Sequence, residues 1–184
     1  RIAAIDFGWD HPTAMVWCAV DNESETFYIY DCYRASKASP AVHATNIKTR
    51  PHFIPIAYPH DGNRRDSMGN PGLADQYRNL GCNFMLQHFT NPPALGTDKG
   101  SNSIEEGLMA MLQSVEAGKF KVFNTLGDWF EEFRMYHRKD GKVVPLRDDL
   151  MSATRYAFQS QRFAIAGEDP SWTADVTYRN YGIV

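Results

Sequence analysis

The chain has 184 residues, 43% of them hydrophobic, with a formal net charge of −3 and an isoelectric point near 6.1. That size and apolar content suit one compact domain, and the acidic balance excludes nucleic-acid binding through bulk charge alone, so any such contact has to be local. No apolar run approaches the roughly 20 residues of a membrane-spanning helix and no signal-peptide pattern is visible, so a soluble intracellular protein is expected.

Three strands are predicted first, Ile2 to Phe7, Ala14 to Val20 and Thr26 to Tyr33. The turn-rich segments Asp10-His11-Pro12 and Asp21-Asn22-Glu23 separate them, and connections this short imply an antiparallel meander. A short helix over Pro40 to Lys48 and a buried strand over Ile54 to Tyr58 follow, ending at His60-Asp61-Gly62. Gly62 to Gly72 and Thr90 to Gly100 are polar loops, with a helix from Leu73 to Leu80 and a strand from Asn83 to Gln87 between them. The next helix repeats Ile104, Leu108, Met111, Leu112 and Val115 on one face and is expected to pack firmly, with Ser103 and Glu106 at capping-box spacing. After the apolar piece Phe120 to Phe123, a second amphipathic helix carries Leu126, Trp129, Phe130 and Phe133, with Thr125 and Asp128 at its start. A Gly141 turn and Val143-Val144 lead to a last helix over Arg147 to Arg162, and the tail beyond Gly167 has no strong periodicity. Cys18, Cys32 and Cys82 are too widely spaced for a zinc site or a disulfide framework and read as reduced core residues.

This order describes an α/β domain with a mixed sheet flanked by helices, the order of a ribonuclease H-like fold. In such a sheet Asp6 lies on the central first strand, Asp61 ends the fourth, and the last helix brings Asp148 or Asp149 beside them. Helical spacing places Asp149 with Ser152, Ala153 and Tyr156, which favours Asp149 over Asp148. Three carboxylates cannot all stay ionised within a few ångströms of one another without a counterion. A pair of Mg2+ or Mn2+ ions removes that conflict and suits phosphodiester hydrolysis. Each acid also has a plain structural use, as a turn former or helix cap, and only the set of them points to metal chemistry. His60, Arg64 and Arg65 are candidate DNA contacts; Lys119 with Lys121, and Arg134, Arg138, Lys139 and Lys142, form further basic patches.

Ile5-Asp6-Phe7-Gly8 with His11-Pro12-Thr13-Ala14, then Pro59-His60-Asp61-Gly62, then Asp148 to Ala157, together resemble the C-terminal nuclease domain of the large terminase subunit of tailed bacteriophages, the headful-packaging type. The resemblance covers about residues 1–165. It implies a ribonuclease H-like fold and two-metal endonucleolytic cleavage of concatemeric double-stranded DNA in the host cytoplasm. Asp6, Asp61 and one of Asp148 or Asp149 then become metal ligands. The implied partners are the portal protein, the small terminase subunit and an ATPase motor domain of the same chain. With Arg1 first and no P-loop, the sequence reads as a single nuclease domain, 1–184, excised from a longer polypeptide that carries the motor upstream. One departure is Ser152, where the family often has Asp, which makes Mn2+ dependence an expectation. Two alternatives have their own residues. Asp6-Phe7-Gly8 with Thr13 resembles the first phosphate motif of actin-like phosphotransferases, although no second glycine-rich loop follows. The negative charge and Ser152 fit a non-catalytic DNA- or portal-docking module.

Overall fold

The computed structural model describes residues 1–64, 69, 71–93, 95–96 and 98–167. Arg65 and the tail beyond Gly167 lie outside the described residues, as do parts of both polar loops. The expected meander is present: β1 (Ile2–Asp6), β2 (Thr13–Asp21) and β3 (Thr26–Ala35) pair antiparallel in sequence order. After α1 (Pro40–Ile47), the short strand β4 (Ile56–Ala57) adds parallel to β1, with Ala4 opposite Ala57. A 3₁₀ turn (His60–Asn63) and α2 (Leu73–Asn79) follow, then α3 (Ile104–Glu116), β5 (Phe120–Val122) and α4 (Gly127–Met135). The hairpin β6 (Arg138–Lys139) and β7 (Lys142–Val143) turns at Asp140-Gly141, and α5 (Asp149–Gln159) closes the fold before a last 3₁₀ turn (Gln161–Phe163). No helix among the described residues is long and apolar enough to cross a membrane.

The main sheet has the order β4-β1-β2-β3-β5, so β1 is an interior strand but β2 is the middle one, a correction to the expected central place of β1. Two strand expectations also shift. The run 83–87 contributes only one parallel bridge, Phe84 to Ile56, and the apolar piece after α3 is a true strand that pairs parallel to β3 at the other edge. Strand alternation then assigns the faces. Ile2 and Ala4 join Val16, Phe27 and Ile29 in the core under α5, whereas Ala3, Ile5, Met15 and Trp17 pack beneath α1 and α2. By the same period of two, Asp6 emerges on the α5 face.

The helices differ sharply in how they are covered. Ten of the eleven α5 residues are buried, so this helix runs through the core rather than over it. Small residues make that possible: Ala153 and Ala157, both fully buried, let it approach β1 and β2 closely. α3 does not pack firmly as its apolar stripe suggested, because only Gly107 is buried and Ile104, Leu112 and Val115 stay about half exposed. Leu112 and Val115 line one side of an open groove of about 440 Å3 whose other side includes Phe130 and Phe133 of α4. The capping box at α3 forms by half: Ser103 accepts the Glu106 amide at 3.3 Å, but the Glu106 carboxylate bonds to the Ser101 hydroxyl and not to the Ser103 amide. α4 starts without a side-chain cap, and α5 begins at Asp149, two residues later than expected. The three cysteines are free; Cys18 and Cys82 are buried and Cys32 is partly so.

Candidate active site

The acid end of the molecule follows from three local facts. β1 and β4 are parallel neighbours, so their carboxyl ends, carrying Asp6 and the turn with Asp61, open toward the same side of the sheet. α5 crosses their face with its first turn, and therefore Asp149, at that end, as shown by Asp149 meeting His11 of the turn that follows β1. A helix N-terminus is a favourable place for anionic groups, because its unpaired N–H groups carry partial positive charge.

Each acid is held differently. The Tyr156 hydroxyl donates to Asp6 Oδ1 at 3.2 Å, and the Tyr156 ring is stacked on Phe89 at 4.3 Å. Asp149 is buried, and its Oδ1 accepts a 2.9 Å hydrogen bond from Nδ1 of His11, an exposed residue in the β1–β2 turn. That turn is fixed by Thr13, whose hydroxyl donates to the Gly8 carbonyl at 2.8 Å, and by Gly8 itself, since a Cβ there would lie 2.6 Å from His11 Nδ1. Asp61 is exposed on its 3₁₀ turn. The turn is seated by Gly62, where a Cβ would come within 2.7 Å of the Phe7 and Tyr58 rings. Asp148 is half-buried at the α5 N-cap but makes no side-chain capping bond.

The electrostatics tie these groups together. Burial, then the neighbouring Asp149, and more weakly Asp148 and Asp61, push the Asp6 carboxyl up to about 7, against the opposing Tyr156 hydrogen bond. Burial and Asp149 also raise Asp148. Burial and the Asp6 charge raise the Tyr156 phenol. A carboxyl held half-protonated near neutrality by burial and, next, by acidic neighbours is one that a cation would stabilise in its charged form. As arranged, however, no three His, Cys, Asp or Glu side chains among the described residues stand close enough to enclose a metal ion.

Of the other expected contacts, His60 and Arg64 are exposed beside Asp61, and His60 meets His88 edge-on at 6.3 Å. Lys119 is paired with Glu25 and Arg138 with Glu105, while Lys121, Arg134, Lys139 and Lys142 are exposed. Ser152 lies one turn along α5 from Asp149 and hydrogen-bonds with Tyr156. Sequence reasoning assigned no role to His11, Tyr156 or Glu132. The Asp149-to-Tyr156 interval of two helical turns was the available clue for Tyr156. His11 reaches Asp149 across 138 residues, a separation that leaves no periodic signal.

Comparison with known proteins places this geometry. Residues 3–161 match the terminase RNaseH-like domain family. The terminase large subunit of Salmonella phage P22 is 37% identical over 164 residues, 89% of this chain and 32% of that protein. The corresponding protein of Enterobacteria phage LP7 is 37% identical over 158 residues, 85% of this chain and 32% of that protein. The chain thus spans about a third of the length of these curated relatives. Among solved structures, the nuclease domain of the P22 large terminase superposes with a TM-score of 0.78 at 37% identity, covering 89% of this chain and 81% of that one. The nuclease domain of the g2p large terminase of bacteriophage SPP1, solved with bound Mn, shares the fold at a TM-score of 0.58 and 16% identity, covering 88% of this chain and 87% of that one. The chain belongs to the terminase RNaseH-like domain family.

Proposed function

We propose that this chain is the endonuclease domain of a phage large terminase, cutting concatemeric double-stranded DNA by divalent-metal-assisted phosphodiester hydrolysis. The observation that carries the reading is the convergence of Asp6 from β1 and Asp149 from α5, with Asp6 raised to about 7 by burial and its acidic neighbours. The donor set is all carboxylate at its centre, which fits Mg2+ or Mn2+ in chemistry. Asp6, Asp61 and Asp149 would hold the ions, with Asp148 as a further ligand. When bound, two such ions supply an activated water and stabilise the leaving oxygen.

The chain's own groups prepare that chemistry. Tyr156 orients Asp6, His11 orients Asp149, and the α5 N-terminus lowers the cost of gathering anions. His60 and Arg64, exposed beside Asp61, are placed to touch the phosphate backbone, with Arg65 beyond the described residues. The acidic net charge implies weak DNA binding by the domain alone, raised by an ATPase motor in the same polypeptide. The P22 and LP7 relatives, about three times as long, support reading the chain as one domain of such a protein. Portal and small terminase subunit are the proposed partners, in the host cytoplasm.

The test is cleavage of supercoiled plasmid with Mg2+, Mn2+ or EDTA by the parent, Asp6→Asn and Asp149→Asn. Metal-dependent nicking and linearisation that both variants lose is the expected result, with Mn2+ the more effective ion because Ser152 replaces an acid. Cleavage at the parental rate by Asp6→Asn would overturn the assignment, and DNA or portal binding without cleavage would favour a docking module.

A further inference from the structure

Asp149 is fixed from outside by His11, but its backbone must also be held, because it is the first residue of α5 and the N-cap Asp148 makes no side-chain capping bond. The missing cap comes from another helix. Glu132 of α4, 1% exposed, accepts the Leu150 amide on Oε2 at 2.7 Å, and Leu150 is the residue after Asp149. Its other oxygen, Oε1, accepts from Arg34 Nη1 at 3.1 Å, so both carboxylate oxygens are used. Arg34, on β3, is held in turn by Asp128 at 3.1 Å and Glu131 at 2.5 Å, both on α4. A bond from Glu132 to the α5 amide therefore locks three elements, β3, α4 and α5, beside the acid. The cluster walls a cavity of about 370 Å3 in which Arg34, Glu132 and Asp149 meet Pro12, next to His11.

A buried carboxylate is costly unless it is paired and hydrogen-bonded, and a plain apolar residue would fill this position at lower cost. We propose that Glu132 is a positioning residue of the active site, acting through the Leu150 amide to set where the Asp149 carboxylate stands for a divalent cation. This rests on the reading of Asp149 as a metal ligand. Glu132 also adds a negative charge near Asp149, but both of its oxygens face protein donors, so its action is geometric. Partners that orient a metal-binding side chain typically change affinity or activity about 10- to 100-fold when removed.

The experiment measures Mn2+ binding calorimetrically, together with kcat and KM for plasmid cleavage, in the 184-residue chain and in Glu132→Ala, Glu132→Gln and Asp149→Asn, all well below their melting temperatures. Expected is a loss of Mn2+ affinity and kcat of about tenfold or more in Glu132→Ala with KM for DNA unchanged. Glu132→Gln, which keeps an oxygen for the Leu150 amide, should stay within about threefold of the parent. Parental Mn2+ affinity in a folded Glu132→Ala overturns the proposal. A Glu132→Gln variant as impaired as the alanine variant also overturns it, since charge and not the amide bond would then matter. If Glu132→Ala does not fold, Glu132→Met, which fills the space without an acceptor for the Leu150 amide, takes its place with the same expected and overturning results. A parent chain that binds no Mn2+, or an Asp149→Asn variant that binds it normally, instead removes the reading of the metal site on which the proposal rests.

Discussion

α3 and α5 carry equally clear apolar stripes, yet one lies open to solvent along that stripe and the other is enclosed on nearly every side. The stripe tells which residues share a face; what covers the face is decided by layer order. α5 lies directly over β1 and β2, the paired interior strands, and so meets a continuous apolar surface. α3 stands at the edge formed by the three-residue strand β5, which is too short to offer one. The enclosed helix is also the one that brings acids into low dielectric, where their charge has consequences.

The comparison breaks if matched deletions on the two helices cost the same. Leu150→Ala, at a fully buried position, should lower unfolding free energy by about 2–5 kcal/mol in denaturant titration. An effect of similar size follows from the charge gathered beside the buried helix. The Asp6 carboxyl titrates near 7 in the fold against 3.8 unfolded, so the unfolded chain releases its proton first. The metal-free domain should therefore lose stability as pH rises from about 4 to about 7, by on the order of 4 kcal/mol, and stay at the lower level above that range. Asp6→Asn should flatten this decline in thermal melts while removing cleavage, and added Mn2+ should offset it in the parent. Least affected should be Leu112→Ala on α3, within about 0.5 kcal/mol because the side chain is about half exposed. A loss of 2 kcal/mol or more there would mean that the α3 face is covered in solution.

Much of this was legible from residue patterns. Short apolar runs separated by turn residues defined the β1–β2–β3 meander, and the acids at 6, 61 and 149 lie at the end of β1, on the turn after β4 and at the start of α5. Period-two alternation was enough to send Asp6 toward α5. What escaped were features created by assembly. β5 is three residues long and is defined by its pairing to β3, not by its composition. Glu131-Glu132 looks like a solvated acid pair, and only the packed structure separates a surface residue from one that is 1% exposed. Glu106 has capping-box spacing to Ser103, but Asn91 and Ser101 compete for its carboxylate through a loop fold that spacing alone does not encode.

Tyr156, stacked on Phe89 and bonded to Asp6, is a built-in gauge of the site's charge. The resonance of its ring carbons should move when Asp6 gains a proton, loses one or takes a cation. Isotope labelling of tyrosine would then display the titration and loading of the acid cluster without DNA, turnover or an added dye. Tyr28, paired opposite Lys121 at the far edge of the sheet, serves as the unshifted reference.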